Sequence, residues 1–439
     1  MANTFKFGNG NWATKKETIL AYNDENNNFK PLPFTFDRGS IATVVNSDGL
    51  IETVGIDEPR IDFLNNTKGH LLLEPQSTNT ATYSNDFTQG DIFNQSAVPS
   101  LGSSVLTQNQ EKAPDGTNNG WLLKDNNDGG TGIAGLNYFS TQVNSDDFNT
   151  ISIFAKKALS NDFLILESAG YDVSATGRSY FNISNGSLGD ISTTHTAKIE
   201  DYGNGWYRCS ITFQTTTDLQ GAIYVRLASS NGLVDITKDG TNGVYIFGLQ
   251  CEADASQNYT TSYIPTSGSA VTRSAETCDG AGIDSIFSEE SGGSIYFEIQ
   301  GLADDGTSRT ISLSHGGVTD EIYILYSGTS NRIAYFVRAA GGTIFGKNYS
   351  SPASGLDISQ TENHKIAVRY QTGNSMWAID GVPTNITTDL DSSFSFTNNI
   401  TTLSFARGNG ITPFYGKVKE IRVYNTALTD EELIALTTI

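Results

Sequence analysis

Short runs in which apolar and polar residues alternate fill most of this chain. In NTISIFAKKA, which begins at Asn149, the residues Ile151, Ile153 and Ala155 fall on one face of an extended strand. FLILESAG, RSYFNISNG, WYRCSITFQT, GAIYVRLAS and GVYIFGLQCEA follow as strand candidates, parted by turn-forming joints such as Asn185-Gly186 and Gly203-Asn204-Gly205. Two sheets packed face to face are the economical way to bury them. The periodicity lapses around YIPTSGSAVTRSAETCDGAG. A second series then runs from GSIYFEIQG through RTISLSHGG, DEIYILYSG, NRIAYFVRAA, HKIAVRYQTG, SMWAIDGVPT and TTLSFARG to GKVKEIRVYNTAL. Within it, Asp380-Gly381 predicts a two-residue hairpin turn. TDEELIALTTI predicts one closing helix, with Thr429 as its cap and Glu432 at the capping-box position.

The pattern predicts an all-β protein of two tandem antiparallel β-sandwiches of jelly-roll type, preceded by an extended N-terminal assembly segment. The regions fall at 1–78, 79–273 and 274–439. The first region holds so few apolar residues that its core is expected to need a neighbouring domain or another subunit. Its most apolar run, Leu71, Leu72 and Leu73, reads as a buried strand tethering the segment to a sandwich or to a neighbouring subunit, or as an ordinary intradomain strand. Pro75 ends that strand because proline has no N–H for the ladder. Gln76 onward reads as an exposed crossing into the first sandwich.

Composition narrows the partners. Lys and Arg total 27 against 48 Asp and Glu, a net charge of -21, so nucleic-acid phosphate and anionic lipid are repelled. No stretch reaches the length of a membrane span, and MANTFKFGNGNW lacks the basic start and apolar core of a signal peptide. The expectation is therefore folding in a cytoplasm. Cys209, Cys251 and Cys278 form no C-x-x-C clamp and cannot all pair, which points to buried free thiols.

HKIAVRYQTGNSMWAIDGVPT followed by FYGKVKEIRVYNTALTDEELIAL resembles the closing half of laminin-G-like, concanavalin-like jelly rolls. That fold hosts lectins, enzymes and structural modules alike, so the resemblance implies architecture more than activity. SDGLIETVGIDEPRIDF, GHLLLEPQSTN, YSNDF, DYGNGWYRCSITF and TSYIPTSGSAVTRSAE, in this order, resemble the modular head-spike and tail-fibre proteins of tailed bacteriophages. This second resemblance implies a virion protein made in the host cytoplasm, partnered by capsid or tail proteins. It also implies a homo-oligomer, with a trimer the expectation, and an attachment role for residues 1–78.

Chemistry is sparse. His70, His195, His315 and His364 stand singly, and no H-E-x-x-H, G-x-S-x-G or Walker loop is present. The pairs Glu289-Glu290, Asp304-Asp305 and Asp320-Glu321 are sequence neighbours, which in a strand point to opposite faces and cannot share a substrate. No catalysis is expected. GLADDGTSR groups oxygen ligands of the kind calcium takes, which makes Asp304 and Asp305 the metal candidates without an EF-hand spacing. Sugar binding needs an exposed aromatic face with amide or carboxylate groups nearby. Trp121 with Asn118, Asn126 and Asp128 is the leading candidate, followed by Tyr138 and then Tyr171, while Trp206 and Trp377 fall within strands and read as core. The leading reading is a phage fibre or spike that holds a host-surface glycan. The alternatives are a capsid cement protein without ligand and a virion-borne polysaccharide depolymerase.

Overall fold

In TFKFG the alternation sends Phe5 and Phe7 into the core and leaves Lys6 in solvent, and the same rule builds one strand after another. The computed structural model describes all of the chain except residues 1–3, 26–27, 90–99, 103, 141–146, 172–176, 216–220, 255, 290–291, 351–357 and 385–394. Side chains at some adjoining strand positions, 137–140 among them, also lie outside the description. The chain is all-β, built from antiparallel sheets, with one helix among the described residues.

It divides into two units. The first comprises residues 1–41, 54–75 and 274–439, and the second residues 42–53 and 76–273. The N-terminal region therefore does not stand apart, because most of it is built into the same unit as the C-terminal region. The reason is register. Thr4–Gly8 pairs along its whole length with Gly416–Tyr424, and the hairpin of Thr18–Glu25 and Asn28–Asp37 extends the sheet from there.

The first unit holds a 12-stranded sheet and a six-stranded one. Gly416–Tyr424 and Gly293–Gly301 lie at the middle of the large sheet, with His364–Tyr370 and the hairpin Met376–Ile379/Val382–Thr384 beyond them. The smaller sheet runs through Arg309–Ser314, Glu321–Tyr326, Arg332–Ala339 and Gly342–Ser350. Ile295, Phe297, Val368 and Ile421 of the first sheet share one core with Ile311, Ile324 and Val337 of the second. Asp380 and Gly381 both take positive φ, 49° and 78°, as a two-residue hairpin turn of matching twist requires. The helix Asp430–Thr437 has the full capping box between Thr429 and Glu432, and it lays Leu433 on the outer face of the large sheet beside Tyr296 and Tyr424.

Leu71, Leu72 and Leu73 do form a buried strand, His70–Leu73, and it pairs with Gly416–Val418 of this same unit. Glu74 follows it, and then Pro75. The stretch beyond is not an exposed crossing: Ser77–Asn79 pairs with Val271–Arg273, and Ser77 and Asn79 are buried.

Four buried charges, Arg38, Arg60, Glu74 and Glu276, cluster within the first unit. Arg38 Nη1 donates to Glu276 Oε1 at 2.8 Å, and Arg60 Nε donates to the same oxygen at 2.8 Å. Arg60 also pairs with Glu74 at 2.8 Å, while Glu74 N donates to Glu276 Oε2 at 2.9 Å. Burial opposes the Arg60 charge, but Glu276 and Glu74 more than offset that and raise its pKa. Two cations and two anions thus satisfy one another out of water within the first unit.

The second unit holds two six-stranded sheets. One is Ser100–Gly102, Ala134–Ser140, Gly221–Ala228, Phe163–Ala169, Gly177–Asn182 and Ser187–Leu188. The other is Ser104–Glu111, Gly120–Asp125, Gly243–Asp254, Phe148–Lys157, Trp206–Gln214 and Thr196–Asp201. Leu136, Leu166 and Val225 from one meet Leu123, Ile153 and Ile246 from the other in a shared core. All three cysteines are buried free thiols.

Candidate functional site

A polar groove of about 580 Å³ opens on the second unit, and the loops that line it are anchored by a buried asparagine outside the lining. Asn79 Nδ2 donates to the carbonyls of Leu249 and Ile264, and its Oδ1 accepts from Ala81 N and Cys251 N. One fully satisfied side chain therefore fixes the starts of two loops, 80–89 and 264–268, against the strand Gly243–Asp254. The loops then hold each other. Gly268 N donates to Thr82 O at 2.7 Å, Ser84 N to Thr266 Oγ1 at 2.9 Å, and Thr266 N to Ser84 Oγ at 2.8 Å. A β-bridge joins Tyr83 to Ser267.

Two aromatic side chains fasten the loop from below. Tyr263 places its hydroxyl 2.8 Å from Ser84 Oγ and 2.6 Å from Asn85 Oδ1, and burial pushes its phenol pKa up so that it stays a donor. Trp121 Nε1 donates to Asn85 O at 3.0 Å, and its ring meets Phe87 edge-on at 5.8 Å. The result presents Tyr83, Asn85, Asp86 and Gln89 from one loop and Pro265, Thr266 and Ser267 from the other. Gln108 and Asn119 complete the lining from a neighbouring hairpin. There the register shifts between Thr107 and Glu111, and Asn109 takes φ 58°.

Chemically this is one half-buried aromatic ring, four amides, two hydroxyls and one carboxylate, with no Lys or Arg in the lining. Asp86 Oδ1 accepts from Thr88 N and Oγ1, which orients the carboxylate. Such a set matches the hydroxyls and C–H face of an uncharged sugar.

The residues singled out from sequence are placed differently. Trp121 is 2% exposed and belongs to the core, so it offers no face to a ligand; its part is to anchor Asn85. Asn118 and Asn126 are exposed but lie beyond opposite ends of the strand Gly120–Asp125, whose five steps alone span about 17 Å at the usual rise per residue. Asp128 is exposed and held by Lys238 at 2.9 Å, which with the Gly130 amide lowers its pKa. The Asn126 side chain reaches Asp128, but Asn118 lies at the other end of the strand, so the three do not form one site. The Tyr138 side chain lies outside the described residues. Tyr171 is 3% exposed and packs on Phe213, and Trp206 and Trp377 are core as expected. Asp305 is taken by Arg309 at 2.6 Å and by Thr307 N, and Asp304 accepts from Asn331 N at 2.9 Å. These contacts stitch a turn, and no group of three metal-ligating side chains occurs among the described residues.

Six of the nine lining residues fall in or beside YSNDF and TSYIPTSG, two motifs quoted for their resemblance and not for their chemistry. The overlooked signal was a tyrosine followed at once by Ser, Asn and Asp, a turn-forming run that exposes its side chains. Among the described residues, Ser168 and His195 at 2.8 Å make the nearest approach to a nucleophile and base. His195 also meets Ser179 at 2.9 Å, and burial lowers its pKa to about 4, which makes it a weak base at neutral pH. Neither residue lines the groove.

Residues 283–434 match the family model Laminin_G_3, described as Concanavalin A-like lectin/glucanases superfamily, and that part of the chain is similar to this family. No curated protein matches the chain. Among solved structures, the CBM40 module of Ruminococcus gnavus IT-sialidase bound to alpha2,6 sialyllactose is 16% identical. It covers 36% of this chain and 93% of that one, with a TM-score of 0.29. The leech intramolecular trans-sialidase is 23% identical over 37% of this chain and 26% of its own, at 0.27. Domains LG4-5 of the mouse laminin alpha1 chain are 10% identical over 82% and 92%, at 0.22. Scores this low say nothing of what the present chain binds.

Proposed function

We propose that this chain is a non-enzymatic structural protein of a tailed-bacteriophage particle, a head fibre, spike or tail fibre, and that its second unit holds an uncharged stretch of a host-surface glycan in the Tyr83 groove. The observation that carries the binding role is that groove: a half-buried tyrosine ring ringed by amides and hydroxyls, on loops fixed from beneath by Asn79, Trp121 and Tyr263. The virion setting is supported by the ordered motifs from SDGLIETVGIDEPRIDF to TSYIPTSGSAVTRSAE, and by a net charge of -21 that disfavours nucleic acid and membrane. Several copies on one particle, a trimer in the simplest case, turn weak single sites into firm adhesion.

Excess purified chain is expected to compete with adsorption of particles that carry it, and the Tyr83→Ala chain is expected not to. Equal competition by both, or by neither, contradicts the reading, and the second result favours a cement protein without ligand.

A further inference from the structure

Glu298 stands on the strand Gly293–Gly301 of the first unit, with Gly416–Tyr424 paired on one side and His364–Tyr370 on the other. Phe297 and Ile299 enter the core between the sheets, so Glu298 shares the opposite face with Tyr296. Register opposes Glu298 to Glu420 but Ile299 to Val418, which leaves Lys419 as the extra residue of a β-bulge. The bulge gives Lys419 two partners that a regular ladder would not. Its carbonyl accepts from Asn9 N at 2.7 Å, and its Nζ lies 2.5 Å from Glu298 Oε1.

From the other side comes Asn363, the residue before His364, whose Nδ2 donates to that same Oε1 at 3.1 Å. The second carboxylate oxygen, Oε2, accepts from the Tyr296 hydroxyl at 3.2 Å, and burial raises the phenol pKa so that it stays a donor. Tyr296 thus holds Oε2 and leaves Oε1 to the two nitrogens. The carboxylate is buried and the ammonium half-buried. One oxygen therefore touches an amine and a carboxamide nitrogen, which are the nucleophile and the leaving group of an amide exchange.

We propose that Lys419 and Asn363 join in an intramolecular isopeptide bond, with Glu298 as the proton carrier. Lys419 Nζ passes a proton to Glu298 Oε1 and attacks Asn363 Cγ, which lies one bond from Nδ2. The Nζ–Cγ bond forms and the Cγ–Nδ2 bond breaks. Nζ loses two protons in all, both carried by Oε1 to Nδ2, which departs as ammonium, so the positive charge of the lysine leaves with it and Glu298 is again a carboxylate. The product amide keeps one N–H. It crosses above the strand Gly293–Gly301 and ties together the two strands that flank it, about 10 Å apart at the usual strand spacing. The cross-link belongs to the first unit and does not depend on the Tyr83 groove, which lies in the second.

The test is the intact mass of the purified full chain, followed by peptide mapping. Wild type is expected to be lighter than its sequence by one ammonia and to yield a joined pair of peptides carrying Asn363 and Lys419. Glu298→Gln and Lys419→Arg chains are expected to match their own sequences. Lys419→Arg keeps a cation against Glu298, so the fold is retained, but a guanidinium stays protonated and does not attack. Wild type is also expected to unfold at a higher temperature than Lys419→Arg. A wild-type mass equal to the sequence overturns the proposal. So does an ammonia loss that persists in Lys419→Arg, which would assign it to another asparagine, and a full reaction in Glu298→Gln overturns the part given to Glu298.

Discussion

His195 lies between the Ser168 and Ser179 hydroxyls, and burial holds its pKa at about 4, below the 6.5 of an exposed imidazole. The native state therefore binds fewer protons than the unfolded state between these values. The stabilisation is complete above pH 6.5 and is lost as pH falls toward 4, a change on the order of 3 kcal/mol. His364 runs the other way. Burial opposes its charge, but Asp380 at 2.6 Å and the Ser359 carbonyl raise its pKa, so its contribution is present below pH 6.5 and fades as pH rises through the folded value. Urea unfolding of His195→Gln at pH 7 and at pH 4.5 is expected to show a smaller acid-induced loss than wild type; an unchanged loss contradicts the assignment. Asp320 behaves as a structural carboxylate. Burial works to raise its pKa, but bonds from Ala340 N, Thr397 and Asn398 bring it down to about 2. Asp320→Asn is expected to cost about 2 kcal/mol at pH 7, read from the denaturation midpoint. At this scale the sequence was legible for residues inside strands, as with Trp206 and Trp377. It misled at Trp121, where turn-rich neighbours suggested a loop while the residue itself begins a buried strand.

Among the elements, the four buried charges depend most on one another. Glu276 answers both Arg38 and Arg60, so Glu276→Gln leaves two guanidinium groups with Glu74 as the remaining carboxylate in the cluster. A loss of about 3–5 kcal/mol in chemical denaturation is expected. A loss below about 1 kcal/mol would place the cluster among weakly contributing surface pairs. The cap of the closing helix is a smaller matter: Thr429→Ala removes the side-chain half of the capping box and is expected to cost about 1 kcal/mol in thermal unfolding. Strand positions, the Asp380-Gly381 turn and this cap were readable because each depends on neighbours in sequence. The Arg–Glu cluster was not, since Arg38 and Glu276 lie 238 residues apart and no local pattern links them.

For the whole molecule, the interleaving of the chain is the feature sequence could not supply. Periodicity marks Thr4–Gly8 as a strand but is silent on its partner, which turns out to be Gly416–Tyr424 at the other end of the chain. The consequence concerns truncation. A chain starting at residue 76 loses the strands that cover the edge of Gly416–Tyr424, and its first unit is expected to aggregate or be digested by protease while residues 76–273 resist. Soluble, protease-resistant residues 274–439 in that truncation contradict the interleaved fold.

Hydrogen–deuterium exchange of the full chain, with and without a saturating uncharged oligosaccharide, tests the proposed sugar site on the loops at 82–89 and 265–268. Slowed exchange is predicted at the amides of residues 83–89 and 265–268 and in the hairpin around Gln108 and Asn119, and Tyr83→Ala is predicted to abolish it. Protection confined to other surfaces, or none for any uncharged sugar that binds the chain, contradicts the account.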